Sequence, residues 1–354
     1  MSLDLTPYLE DLESRIDPTV EEALLAEWKA FASGRYTASE IFAPQRPAPN
    51  PSKLTWPKTR TNETLDNFEL MALQQFQSAS DNLAQGSGRI MNIRCNYGTP
   101  ILAMPFGVKL FIMPDDTDTL PACHPRTGGI DTMKAIVDRG IPDLKKDPYT
   151  QKVFEMGRRY VALKAKYPKI SKYVQTYHPD MQGPTDICEL IWGSDLFVDL
   201  YDVPDLVKNL LDIITQTYIQ YMREWIQLVP LREDGFSVHW NMLFKGPLML
   251  RDDSAMNLSP EMFHEFIRPY DERLLREFGG GAIHACGKVD HFAPILPLMP
   301  HLTSFNLSQP HLNDMEVVFK NTVDRGIVIV GLQRQAAEAA VKAGRSLHGR
   351  VHCW

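Results

Sequence analysis

The chain has 354 residues, with 37 Lys and Arg against 44 Asp and Glu, a formal charge of −7 and a hydrophobic content of 44%. That balance excludes wholesale disorder, and a mildly acidic chain without a basic run is not built for nucleic acid as its main partner. No run of about 18 apolar residues occurs, so no membrane-spanning helix is expected; the acidic start, MSLDLTPYLEDLESRID, is unlike a secretory signal and points to the cytoplasm.

In chain order, residues 1–88 read as a helical arm packed on the main body. The arm holds a helical pattern (EEALLAEWKAFAS), then a Pro-rich segment, 42–57, that should run extended over a surface. A second helical stretch follows (NETLDNFELMALQQFQSASDNL) and ends near 86–88. From residue 89 onward short apolar strands alternate with amphipathic helices, as in α/β proteins with parallel strands. The predicted strands are RIMNIRC (89–95), KYVQTYH (172–178), GFSVHW (235–240), GAIHACG (281–287), TSFNLSQ (303–309), GIVIVGL (326–332) and GRVHCW (349–354).

The helices between them are well marked. After Pro204 an apolar stripe runs through Val207, Leu210, Leu211, Ile214, Tyr218, Tyr221, Met222 and Trp225 at helical period. Ser259 and Pro260 fit an N-cap and first helical position, and the glycines at 279–281 stop that helix. A further helix is expected over 334–344. No Gly-rich dinucleotide fingerprint or phosphate loop follows any strand, which argues against a doubly wound sheet. The expected fold is α/β, a (β/α)8 TIM barrel over 89–354 with an N-terminal helical, Pro-rich extension over 1–88.

Five cysteines (Cys95, Cys123, Cys188, Cys286, Cys353) are too few and too scattered for a disulfide scaffold. The sharpest chemical feature is Ile283-His284-Ala285-Cys286-Gly287. His284 and Cys286 stand two apart on a predicted strand and share a face, at the strand end where barrels carry their sites. Imidazole and thiolate are two of the ligands that zinc takes in sites with an open position, and Cys353 on the last strand offers a third. Ordinary core packing is the competing reading of a His-x-Cys pair. Cys123-His124 is a rival pair, but adjacent residues diverge in an extended chain.

A second group ends at the same predicted rim: His178 and Asp180 in TYHPDMQGP, His239 closing GFSVHW, Asp252 and Asp253 after PLMLR, and Gln309 and Gln333 at the late strands. Such residues orient polar substrates and handle protons, though Asp and His also make turns. His239, Asp180 and Asp252 are the candidate catalytic groups. Arg94, Tyr97, His178, Asp253, Gln309 and Gln333 are candidates for substrate binding, and Arg94 could grip a carboxylate.

The run QGPTDICELIWGSDLFVDLYDVPDLVKNLL, then LSPEMFHEFIRPYDERLL, then IHACG, then a strand ending in Gly-Leu-Gln resembles, over about residues 88–354, the uroporphyrinogen decarboxylase superfamily. The resemblance implies a (β/α)8 barrel and either decarboxylation of tetrapyrroles or corrinoid-dependent methyl transfer. The decarboxylase opens its barrel with an Arg-bearing segment for substrate carboxylates, where this chain has RCNYGTP. The methyltransferase branch binds zinc through a His-x-Cys pair and a distant Cys, which His284, Cys286 and Cys353 match. The implied function is zinc-dependent methyl transfer between a corrinoid (cobalamin), carried on a partner protein, and a small-molecule thiol. A decarboxylase of a porphyrinogen or another carboxylated substrate and a non-catalytic tetrapyrrole-binding protein are the alternatives. A homodimer is the expected assembly.

Overall fold

The computed structural model describes residues 3–354. In chain order the strands are β1 (Ile41–Phe42), β2 (Asn92–Ile93), β3 (Lys109–Phe111), β4 (Ala122–His124), β5 (Gln175–Thr176), β6 (Phe236–His239), β7 (Met242–Lys245), β8 (Leu248–Arg251), β9 (Gly281–Ala285), β10 (Leu302–Leu307), β11 (Val328–Leu332) and β12 (Val351–Cys353). Six of them form one parallel sheet in the order β1-β12-β11-β10-β9-β8, while β2 and β5 pair in parallel beside it. Strands β8, β9 and β12 are buried along their whole length, as parallel strands are when both faces are covered. The architecture is mixed α/β around this central sheet.

The helices follow their local signals. Asp17, Asp147 and Ser259 each accept a backbone N–H at a helix start, with proline in the first turn. The long helix Pro204–Leu228 buries the whole stripe from Val207 to Trp225 foreseen from its period. No helix is long and apolar enough to cross a membrane among the described residues.

Several expectations are corrected. The start of the segment 42–57 does not lie on a surface, because Phe42 enters the sheet as part of β1 and pairs with His352 of β12. Arg46 then anchors the segment through a buried two-point ion pair with Glu21 at 2.6 and 2.7 Å. The outer neighbour of β12 is therefore β1, from the arm, where a barrel closed over 89–354 alone would need the RIMNIRC segment. Residues 172–173 end a helix (Pro168–Tyr173), leaving only Gln175–Thr176 as strand. PLMLR supplies β8, a strand the sequence reading left unassigned.

GFSVHW does not join the parallel sheet. It is β6, the first arm of an antiparallel hairpin with β7. The turn is Trp240-Asn241, both at positive φ (46° and 67°), as a two-residue turn matching strand twist requires. Gly246, at φ 100°, lets the hairpin's exit pass against the Gly280–Gly281 backbone, where a side chain would collide. β7 packs across β9–β11 on one side and against the helix Pro18–Ala32 on the other, in a core with Trp28, Phe31, Phe42 and Phe244. A bulky Trp at a left-handed turn position carries no familiar hairpin signature, so periodicity alone read the segment as one more sheet strand.

Candidate functional site

Residues β9 and β8 place the candidate metal ligands. His284, in β9, is held from the adjacent strand at matching register: Asn306 of β10 lies opposite it, and the His284 Nδ1–H donates to Asn306 Oδ1 at 2.5 Å. That bond fixes the ring and leaves Nε2 as the nitrogen that a metal would take, in exchange for the proton it shares with its acidic neighbours. Nε2 faces Cys286 Sγ at 3.4 Å and Asp253 Oδ1 at 3.4 Å. Asp253, just beyond β8, also accepts the Cys286 N–H at 3.0 Å. Donor atoms of Asp253, His284 and Cys286 all lie within 4.8 Å of one another. Burial opposes the imidazolium, yet the hydrogen bonds with Asp253 and Cys286 outweigh it and hold the His284 pKa up at about 9. Asp253 is held below the ordinary carboxylate value, because His284 overcomes the cost of its burial.

Cys353 is not in this group. It ends β12, three strands along the sheet from β9, paired in register with Leu332. Burial pushes its thiol up to about 12. Asp253, expected as a substrate contact, stands instead where a third ligand would.

Beside this cluster lies a second one. Asp180 accepts hydrogen bonds from Arg94 and Arg251, and its Oδ1 lies 3.2 Å from His239 Nε2. Two guanidiniums thus share one carboxylate, leaving one positive charge in surplus. Arg251 stacks over Trp240 at 4.5 Å, and Trp240 meets the His284 ring edge-on at 4.9 Å, linking the two clusters. His239 is fully buried; desolvation, then the nearby Arg94 charge, hold it neutral. Its Nδ1 has no partner.

Asp252, the next acid, turns away from the rim. It lies wholly buried against Asp271 of the helix Arg268–Phe278, and burial next to that second acid raises its pKa well above the ordinary range. None of the four carboxylate oxygens has a hydrogen-bond partner, so burial and the like charge both favour the protonated acids. Gly183 passes so close that any side chain would strike Asp252 Oδ1.

Three of the remaining candidates bond to the backbone. His178 donates from Nδ1 to Pro179 O at 2.8 Å and accepts the Met249 N–H on Nε2 at 3.1 Å, spending both nitrogens on backbone. Gln309 accepts the Gly287 N–H at 2.6 Å, and Gln333 donates to Ser308 O at 3.1 Å. Tyr97 points elsewhere, into a separate hollow with Phe68, Lys152 and Arg159. Asn306, Arg251 and Trp240 went unforeseen. Only Asn306 had a usable signal, as a polar residue between Phe305 and Leu307 in the strand that follows IHACG.

A cleft of about 420 Å³ opens beside Asp253, lined by Cys123, Gln182, Asp186, Glu189, Ser254 and Asn257 among others. The fold and this geometry define an α/β protein with a candidate metal centre and an adjoining polar cleft at the strand ends. No protein-family model matches the chain, and no curated protein matches it. Among solved structures it is similar to a methyltransferase from Methanosarcina mazei, with a TM-score of 0.60 at 15% identity over 83% of this chain and 81% of that one. At that identity the likeness is one of fold.

Proposed function

We propose that the chain is a zinc-dependent methyltransferase built on a (β/α)8 barrel, in which the two parallel sheets are parts of one closed wall and the arm of residues 1–88 contributes β1. The observation that carries this reading is the convergence of Asp253, His284 and Cys286. The fold shared with the Methanosarcina mazei methyltransferase supports the same reaction class.

A carboxylate, an imidazole with its free nitrogen fixed by Asn306, and a thiol form a donor set that suits zinc with one position left open. Asp253 is assigned as third ligand in place of Cys353, because it already faces the other two. Zinc bound there supplies the Lewis acidity that keeps a substrate thiol as its thiolate at neutral pH. Around it the chain's own residues orient and exclude. Asn306 fixes the His284 ring, Trp240 covers it from the side, and the cleft admits the thiol with the unpartnered Gln182 carbonyl in its wall. The methyl group comes from a corrinoid presented by a separate protein, since a cleft of about 420 Å³ is at the small end for ligands.

One observation favours a second reading. The surplus charge left by Arg94 and Arg251 on Asp180 is suited to a carboxylated substrate, which keeps decarboxylation open. His239 is then the buried group with a free ring nitrogen near the charge.

Metal content decides between them. Elemental analysis of protein purified without chelator should give about one zinc per chain, lost in Cys286→Ser, and the loaded protein should demethylate methylcobalamin in the presence of a thiol. Metal-free protein under those conditions overturns the methyltransferase reading.

A further inference from the structure

At the start of β5, opposite the end from which Asp180 enters the site, a separate cleft of about 460 Å³ opens to solvent. Lys164, the last residue of the helix Pro148–Lys164, forms part of its wall. The Lys164 ammonium donates to Thr176 Oγ1 at 3.2 Å and forms no ion pair among the described residues. The other cations of the wall are engaged: Lys172 with Glu22 at 2.6 Å and Arg232 with Asp234 at 2.5 Å. Asp234 also takes Lys29 at 2.8 Å. Counting Lys164, Lys172 and Arg232 against Glu233 and Asp234, the wall carries one positive charge in surplus.

Part of the lining is apolar. Val229, Pro230 and Leu231 contribute to it, Val161 lies one turn before Lys164 on the same helix, and Val161 and Leu231 are 40% and 39% exposed. Lys164 is half-buried, and beyond its bond to Thr176 the ammonium has two donors left for an acceptor that enters the cleft. Burial alone brings its pKa down to about 8, with no carboxylate near enough to restore it. Exposed apolar residues beside an unpaired cation in one cleft are complementary to a molecule with one charged end and a short hydrocarbon body.

We propose that this cleft binds a small amphipathic carboxylate, its carboxylate on Lys164 and Thr176 and its hydrocarbon part against Val161, Val229 and Leu231. The site is independent of the metal centre and of the reaction assigned to it.

Octanoate and inorganic phosphate are the probes, titrated calorimetrically into the full-length protein. Octanoate should saturate a single site, and Lys164→Met should weaken it about tenfold or more, the loss expected for a charge-assisted hydrogen bond. Lys58→Met, in a different surface hollow, should leave it unchanged. A second measurement needs no variant: acetic anhydride labelling of Lys164, read by peptide mass spectrometry, should fall when octanoate is present. Equal octanoate binding by wild type and Lys164→Met overturns the proposal, as does labelling of Lys164 that octanoate does not protect. Phosphate binding as tight as octanoate overturns the amphipathic class.

Discussion

Asp180 and Arg251 pair across the join between the two parallel sheets, Asp180 just past β5 and Arg251 at the end of β8. The backbone repeats the tie, since the Gly183 N–H donates to Arg251 O at 2.8 Å. Replacing Asp180 by Asn leaves two guanidiniums, one of them buried, without a counter-charge. Breaking a buried pair in this way costs about 3–5 kcal/mol. Urea denaturation of Asp180→Asn should show a loss of that order, and Arg94→Met, removing the more exposed partner, a smaller one. Wild-type stability in Asp180→Asn would show that the carboxylate does not clamp the sheets.

The metal centre makes a sharp distinction between two third ligands. Asp253→Asn should lower bound zinc well below one per chain, while Cys353→Ser, altered three strands away, should retain it. The opposite result returns Cys353 to the ligand set.

Asn306 acts through His284 and not on the metal. Losing such an orienting partner typically weakens metal binding 10–100-fold, so Asn306→Leu should show about that loss in competition with a chromophoric chelator. Unchanged affinity, in protein with a native circular dichroism spectrum, would remove Asn306 from the site.

The Asp252–Asp271 pair gives a pH signature. Burial raises the Asp271 pKa above its unfolded value, so the folded state holds a proton that the unfolded chain releases. The stability this contributes is complete below the unfolded carboxyl pKa of about 4 and drains away as pH rises toward neutrality. Asp271→Asn, which cannot ionise, escapes that loss. Its melting temperature relative to wild type should be higher at pH 8 than at pH 5, and a pH-independent difference would show that Asp271 is not protonated in the folded state.

His178 offers a contrast. His178→Phe keeps the bulk but leaves the Met249 N–H without its acceptor, a penalty of about 1–3 kcal/mol. Zinc content should not change. A loss of metal with no loss of stability would reverse the assignment of His178 as framework.

The sequence made legible what depends on local period and spacing. The Pro204–Leu228 stripe, the Ser259 cap, strands β9–β12 and the shared face of His284 and Cys286 all follow from side-chain alternation or helical repeat. Asp253 as their neighbour did not, because its approach depends on β8 lying beside β9, a long-range pairing that no window of residues reveals. The hairpin was missed for a related reason. His239 sits at the end of a strand in both descriptions, yet only the Trp240-Asn241 turn decides that this strand folds back inside and does not extend the sheet. Arg251, placed in an apolar run, gave no sign that it would meet Asp180.

The pairing of β1 with β12 also bears on how the protein is made. Trp28 and Phe42 pack at a tilt around His352, with Trp28 and His352 ring centres 4.4 Å apart. On a ribosome the two early aromatics emerge first, and their partner arrives among the final residues of this sequence, on the order of tens of seconds later at ordinary elongation rates. Through that interval the nascent arm carries sticky rings and an unmated strand. Slowing translation should lengthen the exposure of this segment.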